Sequence, residues 1–585
     1  MAKIIFFSPH SFIWQHAFPE AVAAESLIMS GHEIVYVSCG EILSASCICL
    51  SMMGVHPGDK ENKRKAICKL CRLREKMIRK EFKMPGYSLA SFSESVDEKK
   101  IESIMAIISP ENFTQLVIED IPIGKIVTYE LLLACKKITA NFSKAEWIKY
   151  QAILRSSLKT FFILERIFEK EKPDYIISYN SLYSVNAVCT HLAASKNIHT
   201  YFMHAGMNLS DRFSNLMIGK ISTLNYLVGL VVRWPKVKNI TCKKNSLSEV
   251  TDHFLELLIG KNVFAYSAPK SRVDVDIRKY FGINTDQKIL VATMSSYDEP
   301  FAAEFVGAYK RLENVLFENQ ADWIQALVEW LKTKPDYFLI IRVHPREFPN
   351  KRERIKSEHS QILQQKFSNL PRNVVVNWPE DEISLYDLAC ETDVFLNAWS
   401  SVGAEMALLG LPVVLYSRNW LLYPADINYL GETVTEYFNQ IERAIKDGWS
   451  FERVRMAYRW YVMTFSGSQV RINGKKDIKN IHENKIMQKF YGGLRLLFPL
   501  MENRKDCKKG LKYLESAEIF NKIFLTGAEM AFDVMETNDE APSLEQETKY
   551  IKKEMTRLAE ALWKNKLQDK QRGKLYQQFK QYILY

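Results

Sequence analysis

His344, Arg346, Ser400, Ser401 and Glu405 are the residues of this chain whose types and spacing best suit chemistry on a phosphate. His344-Pro345-Arg346-Glu347 follows the apolar run Phe338–Val343. Trp399-Ser400-Ser401-Val402-Gly403 follows Val394–Asn397 and opens a helix carrying Glu405. A Ser-Ser-x-Gly turn at a helix start offers hydroxyls and backbone N–H groups to an anion. Arg342 and Arg346 flank the histidine and would add positive charge. Ser295 and Ser296 close another apolar run, Lys288–Thr293, and Trp378 follows Val374–Asn377, where an indole could stack on a heterocyclic base. The same residue types also serve plain helix capping and core packing, so their surroundings decide their use.

These side chains can act together only if they fall at one edge of a sheet. Phe338–Val343, Val374–Asn377, Val394–Asn397 and Pro412–Tyr416 alternate with helix-like segments, a parallel α/β pattern. Ligands of such sheets lie just past the carboxyl ends of the strands. The first half of the chain repeats the pattern. Lys3–Ser8 reads as a strand, followed by a loop with His10, Trp14, His16 and Glu20, a helix to about Ser30, and a strand over Glu33–Ser38. Tyr175–Tyr179 ends at Asn180, and His199–His204 ends in His204-Ala205-Gly206. The predicted fold is α/β, with Rossmann-like domains over 1–265 and 266–470 facing a cleft. A return helix over Ser450–Phe465 and a helical extension over 471–585 complete it. A Cys-rich insertion occupies 39–82.

Two Rossmann-like domains with a returning helix describe the GT-B glycosyltransferase architecture. His344-Pro345, Ser400-Ser401-Val402-Gly403-Ala404-Glu405 and Gly410-Leu411-Pro412 resemble the motifs of bacterial capsule and surface-polysaccharide transferases. That group includes the Kdo transferases and, more distantly, polysialyltransferases and CDP-glycerol glycerophosphotransferases. The resemblance implies a nucleotide-sugar donor, CMP-sugars ahead of UDP-sugars, an oligosaccharide or lipid-linked glycan acceptor, inversion, and no metal or cofactor. It implies donor contacts from Arg342, His344, Arg346, Ser295, Ser296, Trp378, Ser400, Ser401, Gly403 and Glu405. A base must then take the acceptor proton from across the cleft. His16 is the first choice, because an imidazole titrates near neutral pH, and Glu20 the second, acting directly or by orienting His16. His204, Asp211 and Asn180 are expected on the acceptor side. A polyol-phosphate transferase, a nucleotide-sugar epimerase and an inactive scaffold subunit remain alternatives.

Composition is that of an ordinary globular chain: 585 residues, 47% hydrophobic and 25% charged. The opening MAKIIFFSPH reads as a strand and not as an export signal. The most apolar stretch, Leu216–Val232, is broken by Lys220, so a cytoplasmic protein, peripheral to the membrane at most, is expected. The net charge of +11 is concentrated in Lys60–Lys83 and Lys549–Tyr585, which argues against a broad nucleic-acid surface. The latter segment, with Ile551, Met555, Leu558, Leu562, Leu567 and Leu575, suits either an amphipathic helix on anionic lipid or one packed on the body. Ten cysteines without an export signal read as thiols. Cys39, Cys47, Cys49, Cys68 and Cys71 have the look of a structural metal clip, but Cys68 and Cys71 lie in a Lys/Arg-rich helical stretch, where two small apolar thiols on one face are the preferred reading.

Overall fold

A parallel sheet covered on both faces needs near-continuous apolar strands, and KIIFF, KILVAT and YFLIIR supply them. The computed structural model describes all residues except 213, 261, 263, 265, 267, 269–274, 313–314, 351–353, 473–512, 536–540, 564–572 and 584–585. Its strands are β1 (Lys3–Phe7), β2 (Glu33–Ser38), β3 (Gly86–Ser88), β4 (Tyr175–Tyr179), β5 (His199–Ala205), β6 (Asn215–Lys220), β7 (Lys288–Thr293), β8 (Tyr337–Arg342), β9 (Val374–Asn377), β10 (Val394–Asn397), β11 (Val413–Leu415), β12 (Tyr429–Leu430) and β13 (Val470–Arg471).

The strands form two sheets. The first runs β3-β2-β1-β4-β5-β6-β13, and the second β9-β8-β7-β10-β11-β12. The second sheet is parallel throughout. In the first, β6 pairs antiparallel with both β5 and β13, and the other pairs are parallel. Each sheet thus has the 3-2-1-4-5-6 order of a dinucleotide-binding fold. Successive side chains serve opposite faces. Ile5 and Phe7 face a cluster with Leu158 and Phe161 of the Lys144–Glu171 helix, whereas Ile4 and Phe6 face Ala17, Ala21 and Ala24 of the Trp14–Met29 helix. In the second sheet Leu290 and Ala292 pack on Trp323 and Leu327, while Ile289 and Val291 pack on Leu385 and Met406.

The chain then returns to the first domain. Ser450 caps the Phe451–Phe465 helix, its hydroxyl accepting from the Arg453 N–H at 3.4 Å. Val470 and Arg471 extend the first sheet. One apolar cluster joins Val454, Tyr458 and Trp460 of this helix to Trp234 and Phe254 of the first domain and to Leu408 of the second. On the other side of the cleft, Arg346 in the loop after β8 donates to the Leu133 carbonyl at 3.2 Å. The Tyr129–Cys135 helix packs there on the Asp298–Phe305 helix. Two Rossmann-like sheets whose carboxyl-end loops meet, with a chain that returns to the first, make the GT-B architecture.

Two expectations need correction. The loop carrying His16 and Glu20 is helical from Trp14, so both residues sit on the first helix. Leu216–Val232 divides into β6 and the Thr223–Val237 helix, and among the described residues no helix is long and apolar enough to cross a membrane. The apolar face of the C-terminal basic segment does not look outward. Ile551, Met555, Leu558, Leu562 and Leu575 are all buried in the shared cluster, and the Leu544–Leu562 helix lies against the Lys244–Ile259 helix. Leu567 lies outside the described residues, as do 473–512 of the predicted helical extension.

Candidate functional site

In sheets of this order the connections reverse direction between the first and fourth strands, and their loops diverge to leave a crevice. The first domain opens such a crevice between β1 and β4, bordered by Ser8–Ile13 and Asn180–Tyr183. The second opens one between β7 and β10, bordered by Met294–Ser296 and Ala398–Ser401.

Three histidines line the first crevice. His16 stacks on Tyr179, with ring centroids 4.1 Å apart, and its Nδ1 is buried without a hydrogen-bond partner. His10 is 4% exposed, and its Nε2 likewise has no partner. The Nδ1 of His204 lies 3.2 Å from the Ala205 carbonyl, which gives that nitrogen the proton. Burial disfavours the imidazolium. It takes His10 down to about 3 and His204 to about 4, in the latter case with help from Arg212. His16 is lowered too, by burial first and then by His10 and His204. All three are neutral near pH 7, and two hold a buried ring nitrogen with no hydrogen-bond partner.

Other residues shape this crevice. Asn180 turns the chain in the left-handed region (φ 56°), and its Oδ1 accepts from the Leu182 N–H at 3.1 Å. Asp211, beyond β5, faces Arg471 of β13 at 3.8 Å. The role foreseen for Glu20 is corrected. It is 2% exposed, accepts from the Ser8 hydroxyl and, at 3.1 Å, from the Tyr179 N–H, and so ties β1 to β4 beneath the crevice instead of orienting His16. Burial raises its carboxyl to about 8. Arg212 was not singled out from the sequence. Its charge acts on Tyr179, Tyr183 and His204, which makes it a cation of this crevice. Its only local signal is a position shortly after the His204-Ala205-Gly206 strand end.

In the second crevice the Nδ1 of His344 accepts from the Arg346 N–H at 3.2 Å, so its proton sits on Nε2 and can be donated. Burial lowers this imidazole to about 4. Ser295 is clamped through its backbone by the Gln320 amide at 2.7 and 3.0 Å, and its hydroxyl is buried without a partner. Ser296 donates to Glu299 at 2.7 Å. Ser401 is exposed and donates to Glu405 at 2.8 Å, while Ser400 accepts from the Val402 N–H at 3.4 Å. The N–H groups of Gly403 and Ala404 already donate to Ser400 and Ser401 carbonyls at 3.2 and 3.0 Å. This turn therefore offers the Ser400 hydroxyl, and the amide cradle expected from the sequence is closed. Gly403 is required by crowding, since a Cβ there would stand 1.8 Å from the Tyr423 hydroxyl.

Four expected donor contacts are engaged elsewhere. Arg342 is 8% exposed and donates to Asn377 and, at 2.9 Å, to the Ile383 carbonyl. Arg346 holds Asp298 through two nitrogens at 2.7 and 3.0 Å, Tyr266 at 3.0 Å and the Leu133 carbonyl, so it cements the domain junction. Trp378 packs against Phe348 and Phe367. Glu405 accepts from Ser401 and, at 2.9 Å, from Tyr386. Among the described residues no group of three or more His, Cys, Asp or Glu side chains is arranged to hold a metal ion. Cys47, Cys49 and Cys71 instead share a small apolar cluster with Phe12 and Ile67.

No family model and no curated protein matches this sequence. Among solved structures the chain is similar to S. aureus MnaA in complex with UDP, at 12% identity over 79% of this chain and 91% of the other, with a TM-score of 0.25. The UDP-GlcNAc 2-epimerase of Methanocaldococcus jannaschii, in complex with UDP-GlcNAc and UDP, matches at 14% over 78% and 98%, with a TM-score of 0.25. The spinosyn rhamnosyltransferase SpnG in complex with spinosyn aglycone matches at 10% over 80% and 97%, with a TM-score of 0.23. These similarities are weak, and the architecture stands on the chain's own strand order.

Proposed function

We propose that this chain is a glycosyltransferase that moves a sugar from a nucleotide-sugar donor to a hydroxyl of a surface glycan, with inversion and without a metal ion. One observation supports it above the others: two switch-point crevices of complementary character. The first holds neutral imidazoles with unpartnered ring nitrogens at His16 and His10. The second holds a donating His344 and the hydroxyls of Ser295 and Ser400.

In this reading the acceptor hydroxyl lies against His16 Nδ1, which takes its proton as the oxygen attacks the anomeric carbon. The bond from that carbon to the leaving phosphate oxygen breaks. His344 Nε2–H and the serine hydroxyls stabilise the charge that develops there. A doubly charged donor entering the cleft lifts His16 back toward the range where it is an effective base. CMP-sugars of the Kdo or nonulosonic type come first and UDP-sugars next, a preference resting on the motif resemblance alone. A place on the inner face of the membrane fits a lipid-linked acceptor.

Thermal shifts with CMP, CDP, UDP, GDP and their sugar conjugates, with and without EDTA, provide the first test. Selective stabilisation by one nucleotide, insensitive to EDTA, is expected. His16→Ala should retain that shift and lose roughly 100- to 10,000-fold in transfer rate. Absence of any nucleotide shift, or full transfer by His16→Ala, overturns the reading. Conversion of donor without acceptor identifies an epimerase instead, and a phosphate in the transferred group identifies a polyol-phosphate transferase.

A further inference from the structure

Three thiols come together beside His10. Cys47 precedes the short Ile48–Met52 helix, Cys49 lies within it, and Cys71 stands midway along the Glu61–Glu81 helix that packs against it. Cys49 is buried, whereas Cys47 and Cys71 are half-buried, and all three are free thiols. The Cys49 thiol is in hydrogen-bond contact with the sulfurs of both Cys47 and Cys71. Its Sγ also lies 4.0 Å from His10 Nδ1. Cys39 and Cys68 act on this group only at longer range. Phe12, Leu50 and Ile67 pack around the line Cys47–Cys49–Cys71 and hold its order. The three sulfurs differ in character. Burial raises an isolated thiol, as it does at Cys189 and Cys242. Cys47 moves the other way, because the hydrogen bond from Cys49 favours its thiolate and outweighs burial. Cys49, held by its contacts with Cys47 and Cys71 and by burial, is raised well above the ordinary thiol value.

A half-buried sulfur that favours its thiolate, touching a thiol that touches a third on another helix, is an arrangement for passing on a disulfide. We propose that Cys47, Cys49 and Cys71 form a hydroperoxide-responsive relay that ends in a Cys49–Cys71 disulfide, joining the Ile48–Met52 helix to the Glu61–Glu81 helix beside the first crevice. The Cys47 thiolate attacks one oxygen of a hydroperoxide and the O–O bond breaks. The other oxygen leaves and takes up a proton, and Cys47 becomes a sulfenic acid. The Cys49 thiol condenses with it, forming the Cys47–Cys49 bond and releasing water. Cys71 gives up its proton and attacks the Cys49 sulfur that it touches. Cys47 leaves as the thiolate, since the sulfur whose thiolate is favoured leaves fastest. The sum is two thiols oxidised and one hydroperoxide reduced, giving a disulfide, water and an alcohol, or two waters from hydrogen peroxide. A soluble dithiol reverses it by exchange. The cross-link bears on the crevice at two places. Cys49 neighbours His10, and Arg74 of the long helix donates to the Phe12 carbonyl in the loop between His10 and His16. Control of transfer by this bond rests on the acceptor role proposed for that crevice, whereas the relay itself does not.

The test is peptide mapping by mass spectrometry of the full-length chain after stoichiometric hydrogen peroxide, with the remaining thiols alkylated. The expected product is the Cys49–Cys71 peptide pair, with Cys189 and Cys242 still alkylated and the cross-link lost on adding dithiothreitol. Cys71→Ser should stop at the Cys47–Cys49 disulfide. Cys47→Ser should form the Cys49–Cys71 bond roughly tenfold or more slowly. Cys68→Ser should behave like the parent. Melting temperatures of the reduced variants equal to that of the parent will show that they are folded. A parent that keeps all three thiols, or a Cys47→Ser variant that cross-links at the parental rate, overturns the proposal. So does one equivalent of zinc carried by the purified protein and shielding these thiols from alkylation, which would make them metal ligands. Transfer activity should fall on oxidation of the parent, return with dithiothreitol, and stay constant in Cys49→Ser. Full transfer by the cross-linked chain overturns the control of the crevice, while the peptide map judges the relay whether or not the chain is a transferase.

Discussion

Glu20 and His16 lie four residues apart on one helix, and burial moves their titrations in opposite directions relative to pH 7. For Glu20 the unfolded chain releases its proton near 4.5, whereas the folded chain holds it to about 8. The native state therefore binds the extra proton in that window, and this contribution to stability is full below 4.5 and declines as pH rises toward 8. Glu20→Gln keeps an acceptor for the Tyr179 N–H and cannot ionise. It should lie above the parent by a few kcal/mol at pH 8 and show little difference at pH 5, measured by urea unfolding at both values. The histidines act in the reverse sense. His10, His204 and His344 stay neutral when folded down to about 3, 4 and 4, while the unfolded chain takes protons below 6.5, so they withdraw stability as pH falls below 6.5. His16 was legible as a base candidate because it follows the first strand in a polar stretch. The burial of Glu20 was not, because its partner Tyr179 lies 159 residues away.

At the scale of elements, the loop after β8 is a junction as well as a binding loop. Arg346 and Asp298 form an ion pair with 4% and 1% side-chain exposure, and Arg346 also reaches the first domain at Leu133. Lys136, left-handed at φ 47°, donates from the first domain to the carbonyls of Arg346, Phe348 and Ile355. Removing one partner of a buried pair leaves the other charge uncompensated. Asp298→Asn and Arg346→Met should each cost about 3–5 kcal/mol, and Arg346→Met combined with Asp298→Leu should cost less than either alone. Urea midpoints for the three variants measure this, and a double variant as unstable as the sum of the singles would show that the pair is not coupled. The His-Pro-Arg-Glu motif located this loop correctly at a strand end. It could not reveal that its arginine is used, since Asp298 lies 48 residues away and Leu133 213.

The whole molecule is held by a cluster to which both domains, the return helix and the C-terminal helix contribute. Leu558 is fully buried in it. Leu558→Ala should therefore cost about 2–5 kcal/mol, read as a lower urea midpoint. If the C-terminal helix were only a surface attachment, the midpoint would not move. The strands, their parallel pairing and the strand-end loops where polar residues collect were determined by the sequence itself, because apolar runs and turn residues act over a few neighbours. So were the two basic segments. Which polar side chains stay open to a ligand was decided only by the tertiary structure. His16 and Ser295 retain a nitrogen and a hydroxyl without a hydrogen-bond partner and His344 an N–H on Nε2, whereas Arg346, Trp378 and Glu405 are taken by Asp298, Phe348 and Tyr386. The same holds for the basic segments, where the Leu544–Leu562 helix buries its apolar face in the shared cluster and the Glu61–Glu81 helix leaves Lys69, Lys76 and Lys80 exposed. The physical reason is common to both: a hydrogen bond or an apolar contact depends on distance in space, and these partners are brought together only by the folding of the whole chain.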